Sequence, residues 1–229
     1  WDPNLDVRVG RRRVAEAMLA LAPENAPGTG EHYSNAGYMI VAAALEQILN
    51  QRWEDLITQH VFEPLEMRSC GFGAPGDPNA KQPDQPWMHE FKDGKFEPLK
   101  PDFFADNPAS MGPAGSVHCS MGDWGKFLQA HLDGFKGTSS LLSAASFAKL
   151  HTPYGISEYS PGGWIVAERA WAKGVTLSHG GSNTLSYSIV LLAPHLDRGF
   201  LAVTNAGGPA ELAPVEVMRW FVKRIAPTP

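Results

Sequence analysis

The chain has 229 residues, of which 43% are hydrophobic and 10% aromatic, and its formal net charge at pH 7 is −5. This length and apolar content argue against disorder and suffice for one large domain or two small ones. Nucleic acids and anionic membranes are bound through clustered Lys and Arg side chains, so the acidic balance argues against either partner. No apolar run approaches the roughly 18 residues that a membrane span needs.

The first third of the chain contains three predicted helices. The first runs over 12–22 and ends at Pro23. The basic run Arg11-Arg12-Arg13 at its head is interpreted as a solvated helix face. After an irregular loop rich in Gly and Pro, the helical spacing of apolar residues predicts a second helix over 35–49 and a third over 53–61.

Residues 71–117 are rich in Pro, Gly, Asp and Lys and show little periodicity. A structureless loop of this length is unusual inside a compact domain unless it is functional. The segment is therefore predicted to form an extended lid or wall, with short strands near 87–91 and 95–99. Cys70 and Cys119 flank it; two free thiols are the simpler interpretation, and one disulfide is the alternative.

Two capped helices are predicted after this segment. Ser120 precedes a helix over 124–132, and an acidic residue three positions after this serine imitates a capping box. Ser143 is predicted to cap a shorter helix that ends near 151–153.

The last quarter of the chain alternates apolar and polar residues, which predicts strands over 175–178, 185–192 and 200–203. The segment 194–199 suits a hairpin turn between the last two strands. A final helix over 211–225 places an apolar face against the strands. An antiparallel sheet backed by a C-terminal helix implies an α+β architecture.

The tripeptide Tyr33-Ser34-Asn35 stands where the Gly/Pro loop meets the second predicted helix. A tyrosine at the edge of a cleft can act as a proton shuttle when nearby cations lower its pKa. The amide of Asn35 could point at a substrate carbonyl. In isolation, however, the favoured interpretation of the tripeptide is a simple helix cap.

The tetrapeptide His179-Gly180-Gly181-Ser182 closes a predicted strand. Glycine lets a ligand approach the backbone closely, and the N–H group of Ser182 can point into a cleft. An N–H donor at a strand edge can stabilise the oxyanion that forms in acyl transfer. In isolation, a Gly-Gly turn beside a surface histidine explains the pattern equally well.

Together with their surroundings, the two elements resemble the β-lactamase-related serine hydrolases. This family includes class C β-lactamases, DD-peptidases, D-aminopeptidases and related esterases. The landmarks occur in the family's order and extend over nearly the whole chain: Pro27-Gly28, 33–38, 62–67, 113–116, 120–123, Tyr154-Gly155, 178–181 and 203–205. The resemblance implies a β-lactamase/transpeptidase-like fold, with a helical subdomain and an antiparallel sheet.

The resemblance also implies roles for the two elements. Tyr33 would be the general base or proton relay, and Asn35 would position the substrate and a lysine. His179 stands where many members have the lysine of Lys-Thr-Gly, and the N–H group of Ser182, after Gly180 and Gly181, would form half of an oxyanion hole. A neutral histidine holds a carboxylate less firmly than lysine does, which weakens a penicillin-hydrolysing role.

The family's nucleophile motif, Ser-x-x-Lys, is missing upstream of Tyr33, because residues 1–32 contain no serine. The motif works because residues i and i+3 of a helix share a face, so that the lysine amine reaches the serine hydroxyl. One match exists, Ser146-Phe147-Ala148-Lys149, but it follows the Tyr33 element and is interpreted as accidental.

Two hypotheses follow for the whole chain. Either it is the C-terminal part of a serine hydrolase that acts on an amide, ester or β-lactam, with the Ser-x-x-Lys segment as a separate or lost partner, or it is an inactive binding or scaffold protein. The Trp1 start favours the first, in which the mostly helical region 1–170 and the region 171–229 form one incomplete catalytic domain. The chain alone is expected to be inactive, because loss of the nucleophile costs about 10⁶-fold in rate. Family resemblance favours an extracytoplasmic location.

A metalloenzyme is the rival enzyme class, because the chain contains eight histidines. They stand singly, without a His-x-His or His-Glu-x-x-His pair, so no metal or cofactor is predicted. The sequence also lacks a Gly-x-Ser-x-Gly elbow and a phosphate-binding loop, which argues against the α/β-hydrolase and nucleotide-binding classes.

Overall fold

The computed structural model describes residues 5–155 and 157–226. Its α-helices are α1 (Val7–Leu19), α2 (Asn35–Leu49), α3 (Trp53–Ile57), α4 (Gly112–Gly115), α5 (Met121–Lys136), α6 (Ala144–His151) and α7 (Leu212–Ile225). Its strands are β1 (Gly71–Phe72), β2 (His89–Lys92), β3 (Lys95–Pro98), β4 (Val117–His118), β5 (Ile165–Arg169), β6 (Gly174–Ser182), β7 (Tyr187–Ala193) and β8 (Arg198–Thr204). No helix of the described residues is long and apolar enough to cross a membrane.

The chain folds into two compact units. Residues 1–88 and 98–120 form the first, here called the helical unit, and residues 89–97 and 121–229 form the second, here called the sheet unit. This division differs from the sequence regions 1–170 and 171–229, because α5 and α6 belong with the sheet. Leu128 and Leu132 of α5 share one hydrophobic core with side chains of β6 and β7.

In the helical unit, α2 has the bounds that the sequence predicts. Its N-cap is Ser34, whose hydroxyl accepts the N–H group of Gly37 at 3.1 Å, and it ends at Asn50 in the left-handed conformation. The third predicted helix divides instead into α3 and a π-helical turn over Thr58–Phe62.

The predicted bounds of the first helix were wrong, and so was the interpretation of its basic run. Helix α1 begins at Val7, because the Asp6 carboxylate accepts the N–H group of Arg8 at 2.8 Å and caps the helix. Arg11 is fully buried and forms ion pairs with Glu46 and Glu54. Only the two arginines that follow it are exposed.

The interpretation of free thiols was also wrong, because Cys70 and Cys119 form a disulfide. Strand β1 pairs antiparallel with β4, and Gly71 lies opposite His118. This pairing places the two flanking cysteines opposite each other, with a Cα–Cα separation of 4.1 Å. The two short strands predicted near 87–91 and 95–99 are confirmed as β2 and β3, which pair with each other.

The sheet unit is built on a four-stranded antiparallel sheet in the order β5-β6-β7-β8. The three predicted strands are confirmed as β6, β7 and β8, whereas β5 was not predicted. Helix α7 lies on this sheet and buries Pro214 and Met218. Helix α5 is longer than predicted, and α6 begins after Ser143, whose hydroxyl accepts the N–H group of Ser146 at 3.2 Å. The predicted α+β architecture is therefore confirmed.

Candidate active site

The Tyr33 element lies at the N-terminus of α2 in the helical unit. Asn35 is the first residue of the helix, and Tyr33 directly precedes the N-cap. The side chain of Tyr33 is 67% exposed, and Asn35 is exposed as well. The helix cap made by Ser34 therefore fixes the backbone of the tripeptide and leaves the other two side chains accessible to a ligand.

The His179 element lies in the sheet unit, at the end of β6, where one edge of the strand is not covered by β5. The β5–β6 pairing ends where Ile165 lies opposite Ser178. The pairing with β7 continues to the end of β6, where Ser182 lies opposite Tyr187. Residues 179–182 are thus held by β7 on one side and extend beyond β5 on the other.

The backbone N–H groups of Gly180 and Ser182 point towards this uncovered edge. Their direction follows from the pairing on the other side of β5, where Ile165 lies opposite Tyr159. The hydrogen bonds there flank this pair: the Ser160 N–H group donates to the Trp164 carbonyl and the Val166 N–H group to the Glu158 carbonyl, both at 2.9 Å.

In an antiparallel pair, this pattern means that the polar groups of Ile165 point away from Tyr159 and towards Ser178 of β6. Backbone polar groups alternate in direction along a strand, so those of Gly180 and Ser182 point the same way as those of Ser178. Because the β5–β6 pairing ends at Ser178, the N–H groups of Gly180 and Ser182 point to an edge of β6 that β5 does not cover.

The imidazole of His179 is half-buried beside these donors. Burial lowers its pKa below the usual 6.5, and a hydrogen bond with the Gly180 backbone opposes the shift. The ring is therefore neutral at pH 7. Tyr159 lies edge-on to it, with 6.1 Å between the ring centroids. Sequence reasoning missed Tyr159, because nothing in its neighbourhood resembles a motif.

The hydroxyl of Tyr187 lies over Gly180. A Cβ atom at Gly180 would be only 2.7 Å from the Tyr187 Oη atom, so a glycine is what lets the phenol approach the strand. At Gly181 the nearest atom to such a Cβ is the Ser188 Oγ atom at 3.8 Å, an ordinary contact. The two glycines therefore differ in role. The alternation of apolar and polar residues in β7 could not by itself identify Tyr187 as a neighbour of the site.

The side chain of Ser182 connects the site to the segment before α7. Its hydroxyl donates a 2.8 Å hydrogen bond to Glu211 Oε1 and accepts the N–H group of Thr184 at 3.0 Å. Sequence reasoning placed Glu211 only at the start of the last helix and did not connect it with the site.

A comparison of the sequence with models of protein families identifies the family of this chain. The family model described as Beta-lactamase matches residues 2–222. The chain belongs to the beta-lactamase family. The predicted family and its fold are thereby confirmed.

Similar proteins include one curated relative and several solved structures. PbpX of Bacillus subtilis (strain 168), named as a penicillin-binding protein, is 27% identical over 140 residues, which are 61% of this chain and 32% of PbpX. The octameric penicillin-binding protein homologue from Pyrococcus abyssi has a TM-score of 0.71 and 20% identity, and the match covers 97% of this chain and 49% of that chain. The D-amino acid amidase from Ochrobactrum anthropi SV3 has a TM-score of 0.67 and 16% identity, with 98% and 65% covered.

The similarity to solved structures adds evidence on the fold. At identities below 25%, the two solved structures show that the beta-lactamase-family fold is shared. The chain spans about a third of the length of PbpX and about half of the length of the Pyrococcus abyssi protein.

The single Ser-x-x-Lys match of this beta-lactamase-family chain does not form a catalytic pair. The hydroxyl of Ser146 lies 3.0 Å from that of Ser143, which caps α6. Lys149 is exposed, and within the described part of the chain it makes no hydrogen bond to Ser146. The geometry agrees with the interpretation of this match as accidental.

The histidines, predicted to be scattered, include one pair that the fold brings together. His131 of α5 and His151 of α6 are both buried, and their Nδ1 and Nε2 atoms lie 2.9 Å apart. Across residues 5–155 and 157–226, no three His, Cys, Asp or Glu side chains are grouped so that they could hold a metal ion.

Proposed function

We propose that this chain is the part of a serine hydrolase that binds the substrate and transfers protons, acting on an amide, ester or β-lactam through an acyl-enzyme. The observation that supports this most strongly is the uncovered edge of β6. There the N–H groups of Gly180 and Ser182 are available to an oxyanion, beside a half-buried His179. The serine nucleophile would come from a Ser-x-x-Lys motif outside residues 1–229, because residues 1–32 contain no serine and the match at Ser146 is interpreted as accidental.

The proposed reaction has two steps. The serine hydroxyl attacks the substrate carbonyl carbon, and its proton passes through Tyr33 to the leaving nitrogen or oxygen as the bond to that atom breaks. Water then attacks the acyl-enzyme ester, and the water proton returns by the same route to the serine oxygen. In both steps the N–H group of Ser182 stabilises the negative charge on the carbonyl oxygen. The role of Asn35 in positioning the substrate is proposed from the family resemblance of the Tyr33 element alone.

The neutral state of His179 favours amides and esters over substrates that must be held by a carboxylate. A charged lysine at this position would attract such a carboxylate, but an uncharged imidazole provides only a hydrogen bond. The similar D-amino acid amidase, whose structure contains L-phenylalanine amide, supports the choice of an amide.

The helical unit carries a surface that suits the proposed partner segment. Tyr38, Val41, Leu45 and Ile48 follow helical spacing along α2 and are all exposed. A continuous apolar helix face is normally covered by another element. We assign this face to the segment that carries the nucleophile.

The sheet unit offers that segment a second contact. Within the described part of the chain, β8 pairs with β7 alone, so its other edge presents unpaired backbone groups. A strand of the partner segment would satisfy these groups by extending the sheet.

The second candidate function is an inactive binding or scaffold protein of the same fold. It is favoured by the geometry around Ser146, because no described serine and lysine form a nucleophile pair. For either function we propose an extracytoplasmic location, which the disulfide between Cys70 and Cys119 supports because disulfides persist in oxidising compartments.

A labelling experiment tests the proposed function. Protein purified from its native source is treated with a fluorophosphonate, and the labelled peptide is identified by mass spectrometry together with the intact mass and the N-terminal sequence. A label on the serine of a Ser-x-x-Lys segment of roughly 60 to 120 residues, a length set by typical domain size, would support the hydrolase. Absence of label, with no turnover of p-nitrophenyl esters or a chromogenic cephalosporin, would favour the binding protein. A label on Ser146 would overturn the assignment of the nucleophile.

A matched pair of variants tests the role of Tyr33 in the unlabelled enzyme from the same source. Tyr33→Phe should lower ester turnover by about 10² to 10⁴, because it removes the proton-transfer group. Tyr154→Phe changes a tyrosine that is 81% exposed and has no part in the proposed reaction, and it should leave turnover within a factor of about two. Equal ester turnover rates for both variants would contradict a role of Tyr33 in proton transfer.

A further inference from the structure

A carboxylate without a cationic partner lies beside the candidate oxyanion donor. Glu211 Oε1 accepts the 2.8 Å hydrogen bond from the hydroxyl of Ser182, the residue whose N–H group points to the uncovered edge of β6. No Lys, Arg or His side chain of the described residues forms an ion pair with Glu211. Among the described residues, this carboxylate therefore has no cationic side chain as an ion-pair partner.

The loop that follows β6 is closed by hydrogen bonds from its own backbone. Asn183 Oδ1 accepts the N–H groups of Leu185 and Ser186 at 3.1 and 2.8 Å, which closes the turn into β7. The backbone of Gly207 packs directly on this turn, because a Cβ atom there would lie 1.9 Å from the Thr184 carbonyl oxygen. The turn after β6 and the segment after β8 are therefore tightly packed against each other.

His89 strengthens the same connection. Its N–H group donates to the Leu185 carbonyl at 3.3 Å, and its Nδ1 atom lies 3.1 Å from the Asn205 carbonyl oxygen. A single 3₁₀ turn, Gly208–Glu211, then leads directly to Glu211. These contacts place the backbone of Glu211 next to the end of β6, where its carboxylate accepts the hydrogen bond from Ser182.

We propose that Glu211 determines substrate specificity by binding an ammonium group next to the scissile carbonyl. This inference rests on the function proposed above, in which the carbonyl oxygen is bound by the N–H group of Ser182. A substrate held there carries its α-substituent within reach of the side-chain partner of the same serine. An α-amino group would be attracted to Glu211, whereas a carboxylate would be repelled, and the neutral His179 would not offset that repulsion.

The ordinary alternative is that Glu211 only stabilises α7, since a negative charge at a helix N-terminus is favourable. The two roles predict different responses to the charge of a ligand. A purely structural carboxylate would affect ammonium-bearing and neutral ligands equally.

Titration of the uniformly ¹⁵N-labelled 229-residue chain separates these roles. The probes are phenylalanine amide, whose amino group is protonated at slightly acidic pH, and N-acetylphenylalanine amide, which is neutral. Binding is followed through the backbone amide signals of Gly180 and Ser182. The variants are Glu211→Gln, which keeps the shape and the acceptor for Ser182, and the control Glu168→Gln. Glu168 is exposed and lies opposite Val175, at the other end of the β5–β6 pair.

In Glu211→Gln the dissociation constant of phenylalanine amide should rise about three- to tenfold, as expected for the loss of one charge-assisted contact at a partly exposed site. That of the N-acetyl compound should not change, and Glu168→Gln should change neither. Glu211→Asp keeps the charge and should give an intermediate value, which preserves the test if the glutamine variant folds poorly. Equal changes for both probes, or no response of the Gly180 and Ser182 signals in the parent chain, would overturn the inference. Because only binding is measured, the two proposals can fail separately: binding of the ammonium probe, together with no fluorophosphonate label in the protein from its native source, would refute the proposed function and leave this inference standing.

Discussion

The Nδ1 atom of His131 lies 2.9 Å from the Nε2 atom of His151 in the interior of the sheet unit. The ring centroids of Phe127, Phe147 and Trp164 lie 4.7, 5.4 and 5.0 Å from that of His131. One imidazole must donate and the other accept, an arrangement that two neutral rings can form. Burial, assisted by the neighbouring His151, lowers the pKa of His131 to about 3, and burial also lowers the pKa of His151.

This pair predicts that the sheet unit loses stability as the pH falls below 6.5. An unfolded histidine binds a proton near pH 6.5, whereas folded His131 does so only near pH 3, so protonation favours unfolding throughout this window. The loss between pH 6.5 and 5 amounts to about 2 kcal/mol for a fully shifted histidine. Urea unfolding, monitored by tryptophan fluorescence at several pH values, measures it.

The control replaces the titrating group but keeps a polar atom in its place. His131→Asn should flatten the pH profile between 6.5 and 5, whereas His60→Asn, at an exposed histidine, should leave it unchanged. A His131→Asn profile as steep as that of the parent chain would contradict the prediction.

Helices α5 and α6 follow from local sequence signals, but the contact between them does not. Ser143 and the apolar spacing predict α6, since capping and periodicity are properties of adjacent residues. His131 and His151 are 20 residues apart, and only the packing of the two helices brings their rings together. Single histidines in a sequence therefore could not be distinguished from paired ones.

Glycine positions in α5 give a second prediction, because two glycines of one helix have opposite environments. A Cβ atom at Gly134 would lie 2.2 Å from the ring of Phe147, which is 1% exposed and has no space to move. Gly134→Ala should therefore lower the free energy of unfolding by about 1–3 kcal/mol through overpacking. Gly125 has no atom within 4 Å of such a Cβ, so Gly125→Ala should raise it by about 0.5–1 kcal/mol. Thermal denaturation of both variants measures the difference; the same sign for both would contradict the packing of α5 on α6.

The buried Arg11 gives a third prediction, for the helical unit. Its guanidinium bonds to Glu46 and Glu54 and donates to the Ser110 carbonyl at 3.3 Å. Arg11→Met leaves two buried carboxylates without their cation, which should cost about 3–5 kcal/mol of unfolding free energy. Arg12→Met, one residue along the same helix, should change it by less than about 0.5 kcal/mol, because Arg12 is exposed.

A third variant distinguishes lost charge pairing from lost packing. Replacing Arg11, Glu46 and Glu54 together by apolar residues of similar size should recover most of the loss, since no unpaired charge then remains. If the triple variant is as unstable as Arg11→Met, the ion pairs are not the cause.

Arg11 also shows why charge patterns alone were misleading. Three consecutive arginines on a helix point in three directions, because successive residues are turned by about 100°. One of them must face the neighbouring helix if α1 packs on α2, and a partner 35 residues away is invisible to a local pattern. By contrast, α2 was predicted with correct bounds because its cap and its periodicity are both local.

The disulfide gives a fourth prediction. Cys70 and Cys119 close a loop with a sequence separation of 49, so the bond should stabilise the helical unit by about 2–4 kcal/mol, mainly by restricting the unfolded chain. A reducing agent should therefore lower the urea midpoint of the parent chain but not that of the double variant Cys70→Ser/Cys119→Ser. Two thiols reacting with Ellman's reagent in non-reducing denaturant would contradict the disulfide.

The candidate site was only partly accessible to sequence reasoning. Glycines after a histidine at a strand end indicated an approachable backbone, and the structure shows that this end of β6 extends beyond β5. The contribution of Glu211 arises from the return of the chain after β8, which no local pattern reveals. Tyr159 was missed for the same reason, because it adjoins β5, the strand that was not predicted.

The charge of His179 gives the last prediction. At pH 7 its lowered pKa leaves the imidazole neutral, so a carboxylate near β6 meets no positive charge there. His179→Lys introduces a permanent charge and should lower the dissociation constant of benzylpenicillin, an anion, about three- to tenfold, while that of its neutral methyl ester stays constant. His195→Lys adds the same charge on the Pro194–Leu196 turn beside Gly174, at the opposite end of β6, and should affect neither ligand.

In the parent chain, benzylpenicillin should bind more tightly only as the pH falls below 6.5 and the imidazole gains its proton. The measurement is the response of the Gly180 and Ser182 amide signals to each ligand. Equal tightening for the ester and the acid would show that the substitution acts through shape, and that the neutral histidine does not discriminate against anionic substrates.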